Sequence, residues 1–291
     1  MTIDEMKIHE ETYMALLRYY GSKNLQVKHI TSHFPPHETF VDLFGGSGAI
    51  LLGKQPSPVE VYNDLDLGVW NFMTTLRDCR DELIEAIMLT PYSRYEIDRC
   101  RFPADQKKAR AMIDSIGRVE MARRFYVLSW QGRSTASASH RSNRGWRFVR
   151  SADTSSYPPN DFYNVDDILY ASRRFQNVQI ECDSAQCTIE RYDTPQTFFY
   201  ADPPYSAQAS ERREVDRGYA IEMPEWQHRE LIEQLRSIRG SAIISGYMSP
   251  LYRELLDDWR IVQREFVDDR NNKKVECLWL SPSATMQSRM F

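Results

Sequence analysis

The tetrapeptide Asp202-Pro203-Pro204-Tyr205 directly follows the apolar run Thr197–Ala201. Asp202 is an anionic acceptor. The two prolines, with a fixed φ and no N–H, aim backbone carbonyls without offering a competing donor. Tyr205 adds a flat face on which a ring can stack. Together they suit an amino group on a planar ring. The Asp202 carboxylate and the Pro203 carbonyl accept its two N–H hydrogens, which withdraws the nitrogen lone pair from conjugation and turns it towards an electrophile. The plainer alternative is a Pro-Pro turn that ends a strand, and the acidic and aromatic flanks weigh against it.

A second constellation is FVDLFGGSGA, residues 40–49. An apolar run, an acid at Asp42 and a glycine-rich turn that opens a helix is how nucleotide-binding α/β proteins bring backbone close to an adenosine-type ligand. Asp64 ends the next run, 22 residues after Asp42, where such folds carry the acid that binds ribose hydroxyls. Two nearby patterns lead elsewhere and fail. Gly48 to Lys54 has the spacing of a phosphate-binding loop, but Gln55 stands where a Ser or Thr is required. Ser47 is followed two residues later by Ala49 rather than glycine, which removes the serine-hydrolase elbow. His29, His33 and His37 have helical spacing, but Pro35 and Pro36 interrupt it, and they read as surface or core histidines. The five cysteines are scattered and never form C-x-x-C, so neither a disulfide framework nor a structural zinc site is expected.

These groups need elements to hold them. Short β-rich runs, each ending in an acidic or glycine-bearing turn, recur in the first ~90 and last ~115 residues and alternate with helical segments, the pattern of a doubly wound parallel or mixed sheet. Trp259–Val267 and Lys274–Leu280 follow one another without a helix and predict an antiparallel hairpin at one sheet edge. The stretch 91–175 has a different texture, helical and polar and then Ser- and Gly-rich, and reads as an insertion dividing a domain made of 1–90 and 176–291. The chain has 291 residues, 42% hydrophobic and 27% charged, with a net charge of −4, the balance of an ordinary globular protein. Charge is unevenly spread. Residues 121–150 hold seven arginines and no Asp, Glu or Lys, so that window carries +7 and the remainder −11. Phosphate contacts act at short range, so an arginine-rich face on an acidic body is a candidate nucleic-acid footprint. A solvated basic helix and loop is the other reading. No run approaches the ~18 apolar residues of a membrane helix, and the acidic start MTIDEMKIHEETY is unlike a signal peptide, so a cytoplasmic protein with no membrane partner is expected.

The order RYYGSK (Arg18–Lys23), FVDLFGGSG, YNDLD, an inserted helical and basic region, then ADPPY and ISGY resembles the Dam-like, alpha-group DNA adenine methyltransferases, which use S-adenosyl-L-methionine. TPYSR near Thr90, ARRFYVL near Arg123 and SPLYREL followed by WR near Trp259 extend the likeness through nearly the whole chain. The resemblance implies an α/β fold, a Rossmann-like methyltransferase sheet, interrupted by a mainly helical target-recognition region. It implies transfer of methyl to the exocyclic amino group of adenine in duplex DNA, with S-adenosyl-L-homocysteine as product and no metal. By position, Tyr20, Gly21 and Lys23 would lie at the cofactor's methionine end. Phe44, Gly45 and Gly46 would lie against its backbone, with Asp42 beside them. Asp64 would meet its ribose and Asp183 its adenine, while Asp202, close to the sulfonium, and Tyr205 would serve the flipped base. Arg133, Arg141, Arg144, Trp146 and Arg147 are the expected DNA contacts. Flipping the base costs a few kcal/mol, which phosphate contacts can supply.

Cytosine ring-carbon methylation needs a cysteine after a proline, and none of the five qualifies. Transfer to the cytosine amino group, to RNA or to a protein amide stays open, as does a DNA-binding regulator that keeps the fold without turnover. A cognate restriction endonuclease is a candidate partner, and a monomer or weak dimer is expected.

Overall fold

The computed structural model describes residues 16–19, 21–100, 103, 105–132, 145–150, 157–204, 221, 223–267 and 273–287. Its centre is a seven-stranded sheet, β1 (Thr39–Asp42), β2 (Val59–Asn63), β3 (Val178–Glu181), β4 (Thr197–Ala201), β5 (Ser241–Gly246), β6 (Arg260–Val267) and β7 (Lys273–Leu280). The order is β3-β2-β1-β4-β5-β7-β6. The first five strands are parallel, β7 runs antiparallel to β5, and β6 closes the edge against β7 as the expected hairpin. Strand order reverses between β1 and β4, so helices cover opposite faces on the two sides of that point, and a crevice opens at the carboxyl ends of the two strands.

The period of two in the strand sequences builds both cores. Phe40, Tyr62, Phe198, Tyr200, Ile243, Leu278 and Leu280 enter one apolar cluster. Their neighbours Val41, Val61, Phe199, Ala201, Ala242, Ile244, Cys277 and Trp279 enter a second. The second cluster is closed by helices Ala185–Tyr192, Glu225–Arg236 and Pro250–Leu255. The first is closed by Ala49–Gly53, Leu67–Asp78, Arg118–Gln131 and Asp166–Phe175. The stretch 91–175 thus shares a core with the sheet: Ile97, Ile113, Phe125, Tyr126 and Phe162 belong to the same cluster as Phe40. Residues 121, 122 and 125–131 of the Arg118–Gln131 helix are buried, so other elements surround its second half on all sides.

This burial corrects one expectation from charge. Arg123 donates to Glu120 at 2.7 Å and Glu96 at 2.7 Å, and Arg124 donates to Glu120 at 2.7 Å. Arg123 and Arg124 therefore neutralise the protein's own carboxylates. Glu120 lies one residue outside the acid-free window, and Glu96 arrives only through folding.

At the opposite end of β2 from the crevice, Glu60 is buried between Lys54, at 2.5 Å, and the guanidinium of Arg174, whose Nη2 donates at 2.7 Å. Lys54 thus serves an internal ion pair. Removing Glu60 leaves two cations without a counterion, so Glu60→Ala should lower unfolding free energy by about 3 kcal/mol. Asp81→Ala, which breaks an exposed pair with Arg80, should change nothing measurable. Urea titration of the two variants checks this contrast, and equal midpoints would refute it.

Candidate active site

A cleft opens at the crevice. Its walls contain Gly21, Lys23, Asp42, Phe44, Gly45, Gly46, Asp64, Asp183 and Asp202, residues from five separate parts of the chain. Tyr20 and Tyr205 lie outside the described residues. Pro204 lines the cleft and Pro203 is buried beside it.

The β1 turn is held by close backbone contacts. The Gly45 N–H donates to the Asn63 carbonyl at 2.8 Å, and the Tyr62 hydroxyl donates to the Gly46 carbonyl at 2.6 Å. A Cβ on Gly45 would come within 2.0 Å of the Tyr62 ring, and Gly46 has φ +51°. Both features demand glycine. Asn63, 1% exposed, ties three strand ends together. Its Nδ2 donates to the carbonyls of Leu43 and Asp183, each at 3.0 Å, while its Oδ1 accepts the Asp183 N–H at 3.0 Å. Asp64 follows, its Oδ2 accepting the Gly46 N–H at 2.8 Å and its Oδ1 the Asp66 N–H at 2.8 Å. A carboxylate has about four lone-pair sites, so both oxygens keep capacity for a ligand hydroxyl.

Charge in the cleft is strongly one-sided. Burial, with Asp202 and then Asp64 nearby, pushes the Asp42 carboxyl up to about 8. Its Oδ1 is buried and has no hydrogen-bond partner. Burial and the Asp66 charge push Asp64 up to about 7, against the pull of its two backbone N–H donors. Burial holds Asp202 at about 6, with Lys23 drawing it down and Glu276 raising it.

Asp202 is the best-supported of these groups. Its Oδ1 accepts from the Ser245 hydroxyl at 2.8 Å and pairs with the Lys23 ammonium at 3.0 Å. Lys23, 4% exposed, also pairs with Glu276 Oε1 at 2.6 Å, and Gln26 Nε2 donates to Glu276 Oε2. Ser245 in turn bonds the Tyr200 hydroxyl at 2.9 Å. Sequence reading missed Gln26, Tyr200, Ser245 and Glu276. The one available signal was an acid set in the otherwise apolar strand segment VECLWL.

The expected DNA contacts divide. Arg133, Arg141 and Arg144 lie outside the described residues. Trp146 pairs with Gly132 as an isolated antiparallel bridge and stacks on Phe148 with centroids 5.7 Å apart, the Arg94 guanidinium lying 5.0 Å over its ring. Arg147 donates to Asp161 at 3.2 Å and its carbonyl accepts the Tyr92 hydroxyl at 2.9 Å. Phe148 and Arg150 are exposed beside them.

Acidic side chains beside a glycine turn, at the switch point of a sheet with this order, place the cleft where Rossmann-like folds bind nucleotides. The family model for D12 class N6 adenine-specific DNA methyltransferases matches residues 19–268, and the chain belongs to that family. Among curated proteins no match is found. Adenine in DNA is accordingly the acceptor. Among the described residues no helix is long and apolar enough to cross a membrane.

The raised carboxyls set the sign of a pH effect. Between an unfolded value of about 4 and about 8, native Asp42 holds a proton that the unfolded chain has lost, so this group stabilises the fold less as pH rises through that window. In ligand-free protein, Asp42→Asn should gain stability relative to wild type progressively from pH 5 to pH 8. Thermal or urea unfolding across that range checks it, and a pH-independent difference between the two proteins would contradict it.

Proposed function

We propose that this cleft takes S-adenosyl-L-methionine and that the enzyme methylates adenine flipped out of duplex DNA. The observation that carries the reading is the meeting of Asp202-Pro203-Pro204, at the end of β4, with the glycine turn of β1 in one acidic cleft. The residues fit a cationic nucleoside. The unpartnered Asp42 oxygen and the predominance of carboxylates suit positive charge, and Asp64 and Asp183, as acceptors, suit ribose hydroxyls and an exocyclic amino group. Gly21, Lys23, Phe44, Gly45 and Gly46 would complete its seat, with Tyr20. When bound, the cofactor supplies a methyl group already activated on a sulfonium.

The protein's own part is to present the acceptor. Both described bonds to Asp202 end on Oδ1, which leaves Oδ2 and the Pro203 carbonyl for the two N–H groups of adenine. Accepting both hydrogens turns the nitrogen lone pair outward. Nitrogen gains a methyl and must shed one proton. A carboxyl held at about 6 is ionised at neutral pH and basic enough to assist that loss. Tyr205 would stack on the base. Residues 91–175 would form the recognition region, with Trp146, Arg147 and the loop bearing Arg133, Arg141 and Arg144 reaching phosphates, groove edges and the gap left by the base.

The test is transfer of labelled methyl from S-adenosyl-L-methionine to mixed-sequence duplex DNA, with the modified nucleoside identified after digestion. N6-methyladenine is expected, reduced about a hundredfold or more in Asp202→Ala. The ratio kcat/KM should rise with pH through about 6 as Asp202 of the free enzyme ionises. Bound cofactor with no transfer to DNA would refute the reading.

A further inference from the structure

The Lys23 ammonium is buried between two carboxylates contributed by distant parts of the chain, Asp202 after β4 and Glu276 on β7. Glu276 is 3% exposed and stands in the strand that pairs with β5, one residue from the Gly246↔Cys277 match. Ser245, which donates to Asp202, is on β5 itself. Gln26 anchors the far oxygen of Glu276, and its own N–H donates to the Lys23 carbonyl at 2.7 Å. The short turn Asn24–Gln26 after Lys23 thus grips Glu276 while presenting the ammonium.

We propose that Glu276 is a positioning residue for methyl transfer: it takes one side of the Lys23 ammonium, stops that charge from closing onto Asp202, and so keeps the second Asp202 oxygen strong and free for an amino-group donor. The proposal rests on the reading of Asp202 as the acceptor of the adenine amino group. A buried carboxylate claimed by a full ammonium and a hydroxyl is well stabilised as an anion and correspondingly weak as a further acceptor. With the ammonium shared between two anions, Lys23, Asp202 and Glu276 together carry one net negative charge, and that excess faces the cleft. Gln26 has no charge, so it can hold Glu276 in place without competing for Lys23.

The groups that bear on Asp202 define what a titration reads. They are Lys23 ahead of the Asn24–Gln26 turn, Asp42 at the end of β1, Tyr200 on β4, Tyr252 on the Pro250–Leu255 helix and Glu276 on β7. Glu276 raises the Asp202 carboxyl and Lys23 lowers it. Deleting the Glu276 charge removes an upward push and releases Lys23, so both changes move Asp202 the same way, downward.

The experiment uses Glu276→Gln in the full chain. Carboxyl ¹³C NMR of ligand-free, aspartate-labelled protein follows Asp202, identified by the signal lost in Asp202→Asn. Its midpoint should fall from about 6 towards the usual carboxylate range. The acid limb of the kcat/KM profile with S-adenosyl-L-methionine and duplex DNA should move to lower pH with it. Plateau kcat should drop about tenfold while cofactor Kd changes far less. A purely structural role for Glu276 would lower kcat or stability without moving the midpoint, and an unmoved midpoint overturns the proposal. Gln26→Leu keeps every charge but frees Glu276, and should shift the midpoint in the same direction by less. If Glu276→Gln fails to fold, this variant decides the matter. Absence of methyl transfer to adenine by the wild type would refute the enzymatic reading on its own, and the titration, which needs no turnover, would still decide whether Glu276 controls the Lys23–Asp202 contact.

Discussion

Asp42 and Glu276 are buried, and Asp64 and Asp202 half-buried, close enough to raise one another's or their neighbours' affinity for protons, and Lys23 is shared between two of them. Concentrating like charge in a low-dielectric crevice is unfavourable unless backbone and hydroxyl donors compensate. Much of the local architecture does so. The glycine turn supplies an N–H to Asp64, β5 supplies Ser245 to Asp202, and the turn after Lys23 supplies Gln26 to Glu276. What the fold leaves uncompensated is the Asp42 oxygen, and an incoming cation is its natural complement.

The sheet order makes that concentration possible. A parallel sheet that reverses at β1 and β4 brings the ends of its central strands to one crevice, and alternation along each strand fills both faces without consuming the residues at those ends. Asn63 then spans the ends of β1, β2 and β3 through three bonds of 3.0 Å. Its amide neutralises loop backbone that would otherwise be buried unpaired.

Asp42, Asp64 and Asp202 could be read in the sequence because each ends an apolar run, and strand ends are where such folds display chemistry. The edge hairpin was legible for a similar reason, two β-rich runs with no helical segment between them. Glu276 was not, because its meaning depends on β7 lying beside β5, a pairing that no local pattern encodes. Arg123 and Arg124 misled for the same cause: their partners Glu96 and Glu120 are found by folding and by looking just past the window's edge. The shared apolar cluster of the sheet and of residues 91–175 was also hidden, since polar texture marks an insertion's surface and says little about its buried side.

The Arg118–Gln131 helix ends in a knot of contacts. The Ser129 hydroxyl donates to the Arg18 carbonyl at 3.0 Å and the Trp130 indole N–H to the Leu16 carbonyl at 3.2 Å, which steadies the segment leading to Gly21 and Lys23. One residue further on, Gln131 and Gly132 engage Arg147 and Trp146. The helix therefore behaves as a gauge block between the two sides. One residue gained or lost within it would carry both anchorages about 1.5 Å along the axis and turn them through about 100°, so its length is rigidly prescribed.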